Sequence, residues 1–385
     1  MRRARAGFDA LHHVRGPRGR PSPQTRARGR LLICLQRCNL LRVTDTRNGD
    51  GAPTLHDVAA AAGVSFSTVS NVIRNHPHVR EATRQRVLDA ITAVGYRPNL
   101  VARNLRSGRS GVIGLAVPEL NQSYFAQLAD DVIRAAGAQG YVVLVEQTGG
   151  RRERERELLR DPRLALTDGT LISPLGLTRA DASDIALGRP VVVLGQPLLD
   201  EADHLTMQHE AAARAATTHL IEGGRTRIVL LGAHPAEQGT TASLRRDGYR
   251  SALEAAGLPT PDELVVPIEV WDRHHGAAAM WELLRSGTVF DAVFAMNDDL
   301  ALGAMRALHE RGLRMPADVA VIGFDDIDEG RYSFPSLSTV DPGRRQIAEL
   351  AVTMLLERVM GTTDAPPGRM VAPDFRLVVR ESTRG

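Results

Sequence analysis

Apolar residues fall at Leu55, Val58, Ala59 and Ala62, the i, i+3, i+4, i+7 spacing that lines one face of a short helix. Gly63 stands where a helix stop needs a positive φ, and Ser65, two residues on, can cap a second helix. That helix is predicted to bury Val69, Val72 and Ile73 and to turn Phe66, Ser67, Ser70, Asn71 and Arg74 outward. Two short helices around a glycine-bearing tight turn make a helix-turn-helix pattern, a unit whose second helix enters the major groove of DNA. A third amphipathic helix is predicted next, with Val87, Leu88, Ile91 and Val94 inward and Gly95 at its end.

The period changes after residue 110. Val112 to Val117 reads as a buried strand, followed by a helix face of Phe125, Leu128, Ala129, Val132, Ile133 and Ala136. Gly140 closes that helix and Tyr141 to Val145 reads as the next strand. Further apolar runs at Val191–Leu194, Ile228–Leu231, Ala292–Met296 and Val319–Phe324 alternate with helical stretches. Such alternation predicts parallel sheets with helices on both faces. The run from Arg151 to Glu157 alternates in sign, which predicts an exposed helix face laced with ion pairs rather than a nucleic-acid patch.

Composition narrows the class. At 385 residues the chain exceeds one ordinary core, and 43% hydrophobic with 24% charged residues describes a globular protein. No apolar run approaches the ~18–20 residues of a membrane span, and Leu31 to Leu35 is too short for a secretory leader. The only cysteines, Cys34 and Cys38, lie near the N-terminus, which excludes a disulfide framework in the folded domains and points to a reducing, cytoplasmic setting. A lone C-x3-C without partner ligands is weak evidence for a metal, so neither metal nor cofactor is expected. The net charge of +3 hides a segregation: +9 over residues 1–50, +5 over 51–110 and −11 over 111–385. A basic end on an acidic body suits a protein that offers one end to phosphates.

The run TLHDVAAAAGVSFSTVSNVIRN, followed by TRQRVLDAITAVGYRPNLVARNLRSGRSGVIG, resembles the head and hinge of the LacI/GalR (lactose repressor) family of bacterial transcription regulators. The resemblance implies an α/β protein: an all-α helix-turn-helix head over residues 51–97, a hinge over 98–110, and a two-lobed core of Rossmann-like parallel sheets resembling periplasmic binding proteins. The chain would cross between lobes three times, the first lobe taking about 111–208 plus 340–362 and the second about 209–339 plus 363–385. The family head begins near Thr54, so residues 1–50 read as a disordered tail or an upstream stretch from an early start codon; a DNA-touching arm and a targeting segment are the alternatives. The short polar tail after a strand at Phe375 to Val379 points to a homodimer rather than a tetramer.

Carried over position by position, Phe66, Ser67 and Asn71 would face bases, while Ser65, Ser70, Arg74 and Arg80 would meet phosphates. Asn71 can pair bidentately with adenine, and Phe66 can meet a thymine methyl. Arg80 replaces a small hydroxyl residue at the start of the third helix, which predicts a weaker cap. The hinge, Pro98 to Arg106 with Asn99, is too short to be helical alone; the resemblance has it fold in the minor groove, with Leu105 wedged between base pairs of a pseudo-palindromic operator. In the core, Tyr124, Phe125, Arg245, Trp271, Asn297 and Asp325 match positions that line a small-molecule cleft. Their chemistry suits a sugar, or alternatively a nucleoside or purine-type corepressor, with Asn297 and Asp325 also open to helix-cap roles. One family position for a polar contact is occupied by Gly195. The chain has no catalytic motif of the hydrolase-elbow, P-loop or zinc-helix types, so no catalytic residues are expected; a transport-type solute-binding protein is the remaining rival, disfavoured by the head.

Overall fold

The computed structural model describes residues 53–73, 76–96, 109–160, 166–184, 189–195, 198–233, 240–366 and 368–384. The extension 1–50, Arg74, Asn99, Leu105 and nearly all of the hinge lie outside the described residues. Two units separate at Arg97/Pro98, and each is taken by itself.

The described residues of the first unit form three helices, α1 (Leu55–Ala62), α2 (Phe66–Ile73) and α3 (Glu81–Val94). Thr54 and Asp57 form a capping box at the start of α1, and Gly63, at φ 63°, ends it in the left-handed region. Val58, Ala59, Ala62, Val69, Val72, Val87 and Ala90 make its core. Leu88, expected inside, is 44% exposed. The buried stripe of α3 runs through 87, 90, 91 and 94, and Leu88 sits one residue, about 100°, off that stripe.

The second unit alternates strands and helices. It begins with β1 (Val112–Val117), α4 (Ser123–Ala138), β2 (Val142–Gln147), α5 (Arg152–Arg160), β3 (Gly169–Ile172), β4 (Val191–Leu194) and β5 (Asp203–Leu205). It continues with α6 (His209–Glu222), β6 (Ile228–Ala233), α7 (Thr241–Ala255), β7 (Val265–Pro267), α8 (Arg273–Ser286), β8 (Ala292–Ala295), α9 (Asp298–Glu310) and β9 (Ala320–Ile322). Last come α10 (Asp328–Tyr332), β10 (Thr339–Asp341), α11 (Arg344–Met360), β11 (Met370–Val371) and β12 (Arg376–Val378). One sheet has the order β11-β5-β4-β3-β1-β2 and the other β7-β6-β8-β9; every pairing in both is parallel. These are the two lobes, and β10 and β12 pair antiparallel beside the second.

Three expectations are corrected. The strand β11 joins the first sheet beside β5, so the chain is still in the first lobe at residues 370–371, beyond the boundary expected at 363. The cause is local: the Asp203 carboxylate accepts from both Arg358 and Arg369, pinning the segment against β5. A two-residue strand held by ion pairs leaves no periodicity to read. Ile133 of α4 is 47% exposed, again one residue off the buried stripe. Glu155, in the charge-alternating helix, is fully buried; its carboxylate accepts from the backbone N–H groups of Leu175, Gly176 and Leu177. The neighbouring arginines do face outward and pair, Arg152 with Asp181 at 2.9 Å and Arg154 with Glu146 at 2.7 Å. Among the described residues no helix is long and apolar enough to cross a membrane, and no His/Cys/Asp/Glu group could hold a metal ion.

Candidate nucleic-acid interface and ligand cleft

The polar face of α2 is set by its N-terminus. Ser65 Oγ accepts from the Thr68 N–H at 3.2 Å and lies 2.8 Å from the hydroxyls of both Ser67 and Thr68. This cap satisfies an orphan amide of the helix start. With Val69 and Val72 facing the core, Phe66, Ser67 and Asn71 are exposed and Ser70 is half-buried. Phe66 is held by His56, whose ring stacks on it at 4.9 Å between centroids. That contact was not legible from spacing, because it joins two residues on different helices. Arg80 precedes α3 with no side-chain cap, as its chemistry implies.

In the second unit, Arg245 of α7 is the centre of a buried cluster, only 3% exposed. Its guanidinium carbon lies 3.4 Å from the centroid of Phe324 and 5.7 Å from that of Trp271, a cation–π arrangement. Nε donates to His209 Nδ1 at 3.3 Å, Nη1 donates to the Met296 carbonyl, and Nη2 lies 3.6 Å from Asp325. His209 must be neutral to accept there; burial and the adjacent arginine both hold its pKa well below the ordinary histidine value. Trp271 Nε1 donates to the Gly232 carbonyl at 3.0 Å. Asn297 is the N-cap of α9: Oδ1 accepts from Leu300 N–H at 2.9 Å and Nδ2 donates to the Trp271 carbonyl at 3.2 Å. It is therefore a cap and a brace for Trp271 at once.

The first lobe contributes Tyr124, near enough to feel the charges of both Asp325 and Arg245. Phe125 turns the other way, into the first lobe's core, edge-on to Tyr124 at 5.3 Å. Polar bonds also bridge the lobes. Ser123 Oγ donates to Glu329 at 2.6 Å, Gln127 Nε2 donates to Glu329 at 3.1 Å, and Arg273 Nη2 donates to Ser123 Oγ at 2.7 Å. Sequence reading missed His209, Phe324, Arg273 and Glu329. The first two lie on the margins of strands and helices, and the last two act through partners distant in the chain.

Asp325 sits in the left-handed region at φ 114° and its pKa is pushed up to about 7, chiefly by burial. Arg245 and Arg344 oppose that rise and Asp299 adds to it; buried Asp298 nearby is also raised well above its usual value. A carboxyl raised in the fold holds its proton while the unfolded chain releases it above pH ~4, so the fold loses stability as pH rises towards 7. Asp325→Asn should therefore match the wild type in thermal stability near pH 4 and exceed it progressively up to about pH 7. An offset independent of pH would mean that Asp325 titrates as an ordinary carboxylate.

Residues 54–99 match the family described as "Bacterial regulatory proteins, lacI family", and residues 217–383 match a periplasmic binding protein-like domain. A solved structure described as a LacI-family transcriptional regulator from Sanguibacter keddieii DSM 10542 is 63% identical, covering 72% of this chain and all of that one, with a TM-score of 0.68. The transcriptional regulator CelR in complex with cellobiose is 32% identical over 86% of this chain and 99% of that one, TM-score 0.62. The lac repressor dimer bound to operator and the anti-inducer ONPF is 29% identical over 87% of this chain and 100% of that one, TM-score 0.70.

Proposed function

This chain belongs to the lacI family of bacterial regulatory proteins, and on that premise we propose that it is a homodimeric transcriptional repressor whose hold on a pseudo-palindromic DNA operator is set by a small carbohydrate between its lobes. One observation carries the ligand half. Tyr124, Trp271, Asn297 and Asp325 each follow the carboxyl end of a parallel strand, β1, β7, β8 and β9, and converge around Arg245. Open α/β sheets take ligands at that end of their strands. Trp271 supplies a flat apolar surface for a sugar ring, and the guanidinium and carboxylate supply charge-assisted bonds to adjacent hydroxyls. A buried polar set of this kind rejects molecules lacking the matching hydroxyls. The cellobiose-bound relative is in keeping with that class.

The DNA half rests on α2. Its exposed Phe66, Ser67 and Asn71 supply one apolar contact and two hydrogen-bonding groups to a major groove, while Ser65, Ser70, Arg74 and Arg80 take phosphates. For the dimer, β2 is an edge strand whose Val142 and Leu144 are 58% and 53% exposed, alongside exposed Ile133. Tyr332 and Phe334, 82% and 93% exposed, give the second lobe a matching apolar surface. Apolar residues at a bare sheet edge call for a covering partner, and the operator-bound relative is a dimer. The inter-lobe bonds through Glu329 and Arg273 would be remade when a ligand moves the lobes, and the ligand shifts the balance only by its differential affinity for the two states.

Selection from random duplexes should recover a pseudo-palindrome with half-sites about one helical turn apart, bound by two chains in sedimentation. Ile133→Asp with Leu144→Asp should give a monomer that loses that duplex. A carbohydrate panel should raise the thermal midpoint for one class only. Failure to enrich any duplex would sink the operator reading, and wild-type sedimentation as a monomer on DNA would sink the dimer.

A further inference from the structure

At the end of the first sheet opposite the cleft, one buried carboxylate gathers the chain where it enters the core. Asp168, 7% exposed, accepts from the Ser110 N–H at 2.5 Å, the Ser110 hydroxyl at 3.0 Å and the Gly111 N–H at 2.8 Å. Its own N–H donates to the Val112 carbonyl at 2.7 Å, so residues 110–112 wrap around it. Gly111 takes φ 68°, a kink open to glycine, and its carbonyl accepts from Val142 N–H at 3.0 Å. These bonds fix the backbone of residues 110–112, where the polypeptide enters the core.

The same point is tied to the cleft by a helix. At its first residue, α11 meets the cleft side: Arg344 donates to Asp131 at 2.9 Å and to Gln127 at 2.6 Å. Its 17 residues span about 25 Å. At the far end, the Met360 carbonyl accepts from Arg109 at 3.4 Å. Near that end, Leu355 presses on Gly169, the residue after Asp168; a Cβ on Gly169 would lie 2.8 Å from Leu355 Cδ1. Close packing without slack transmits displacement rather than absorbing it.

We propose that Asp168 is a positioning residue for operator binding: it fixes the exit of the chain from the core at Ser110 and Gly111 and passes to that exit the position of α11. This rests on the operator reading above. In a dimer, two such exits set how far apart the two heads are presented, so Asp168 would act on operator spacing without touching DNA.

The test uses the full chain and the duplex recovered by selection, with versions whose centre is lengthened or shortened by one base pair. Asp168→Asn keeps the shape but turns one acceptor into a donor facing an N–H group. The affinity for the correctly spaced duplex should fall about tenfold or more, with a much smaller fall for the misspaced ones, so discrimination between them is compressed. Equal loss at all three spacings, tracking a lower thermal midpoint, would show a merely structural role; unchanged affinity and discrimination would also overturn the proposal. Should that variant fail to fold, Ser110→Ala removes one donor and leaves both amide bonds; it should compress discrimination in the same direction by a few-fold, and wild-type discrimination in it would decide against Asp168. A wild-type chain that selects no duplex would instead count against the operator reading.

Discussion

Arg245→Ala should abolish the response to carbohydrate while sparing operator binding without ligand. The guanidinium would give a ligand hydroxyl a charge-assisted hydrogen bond, worth roughly 1.5–3 kcal/mol, or about one to two decades of affinity. Its removal also strips the stack on Phe324 and leaves Asp325 without its partner at 3.6 Å. That carboxyl is already raised to about 7, so it takes up a proton rather than standing as a bare buried charge. The lobe should therefore stay folded. Titration of operator binding against ligand separates the outcomes: with an inducer the variant represses constantly, with a corepressor it is constantly released. A variant that still responds at the wild-type concentration would put the ligand elsewhere. Asp325→Ala should behave in the same way, since both side chains belong to one cluster.

Asn71→Ala should damage sequence discrimination more than total affinity for DNA. An amide that bonds a base edge bidentately is worth about 1–3 kcal/mol against the wrong base pair. Asn71 is exposed on α2, whereas Val69 and Val72 of the same helix are buried in the head's core. The substitution should thus take away the proposed base contact while leaving the buried core of the head intact. Arg74→Ala should instead weaken every sequence alike and flatten the dependence on salt, since a phosphate contact acts through counterion release. Competition against shuffled duplexes at two salt concentrations distinguishes the two, and identical behaviour would mean that the base and phosphate roles are misassigned.

Local patterns carried much of this. Gly63 and Ser65 announced the end of α1 and the start of α2 because capping is chemistry between near neighbours. The runs at Val112–Val117 and Val191–Leu194 announced strands because parallel strands are buried on both faces. What escaped was decided by partners far along the chain. Glu155 reads as one more surface charge until three amides 20–22 residues away enclose it. Ile133 and Leu88 belong to apolar stripes wider than the surfaces that cover them within one chain. At the cleft, the family resemblance pointed to Arg245, Trp271, Asn297 and Asp325, but Phe324 beneath the guanidinium and His209 beside it come from the packing of three elements. Asn297 shows how a single side chain serves two demands that spacing cannot separate.

The last crossings of the chain bear on how the protein is made. The first sheet needs β11 at Met370–Val371, and the second lobe is fastened by β12 and by Ser382, whose hydroxyl donates to the Val321 carbonyl at 2.6 Å. Both lobes therefore wait for residues 370–382 to leave the ribosome, long after the head has been synthesised. A chain cut before that point would hold the residues of the head but lack the last strand of the first sheet and the Ser382 fastening of the second lobe. The threading thus ties the completion of both lobes to one short segment, residues 370–382.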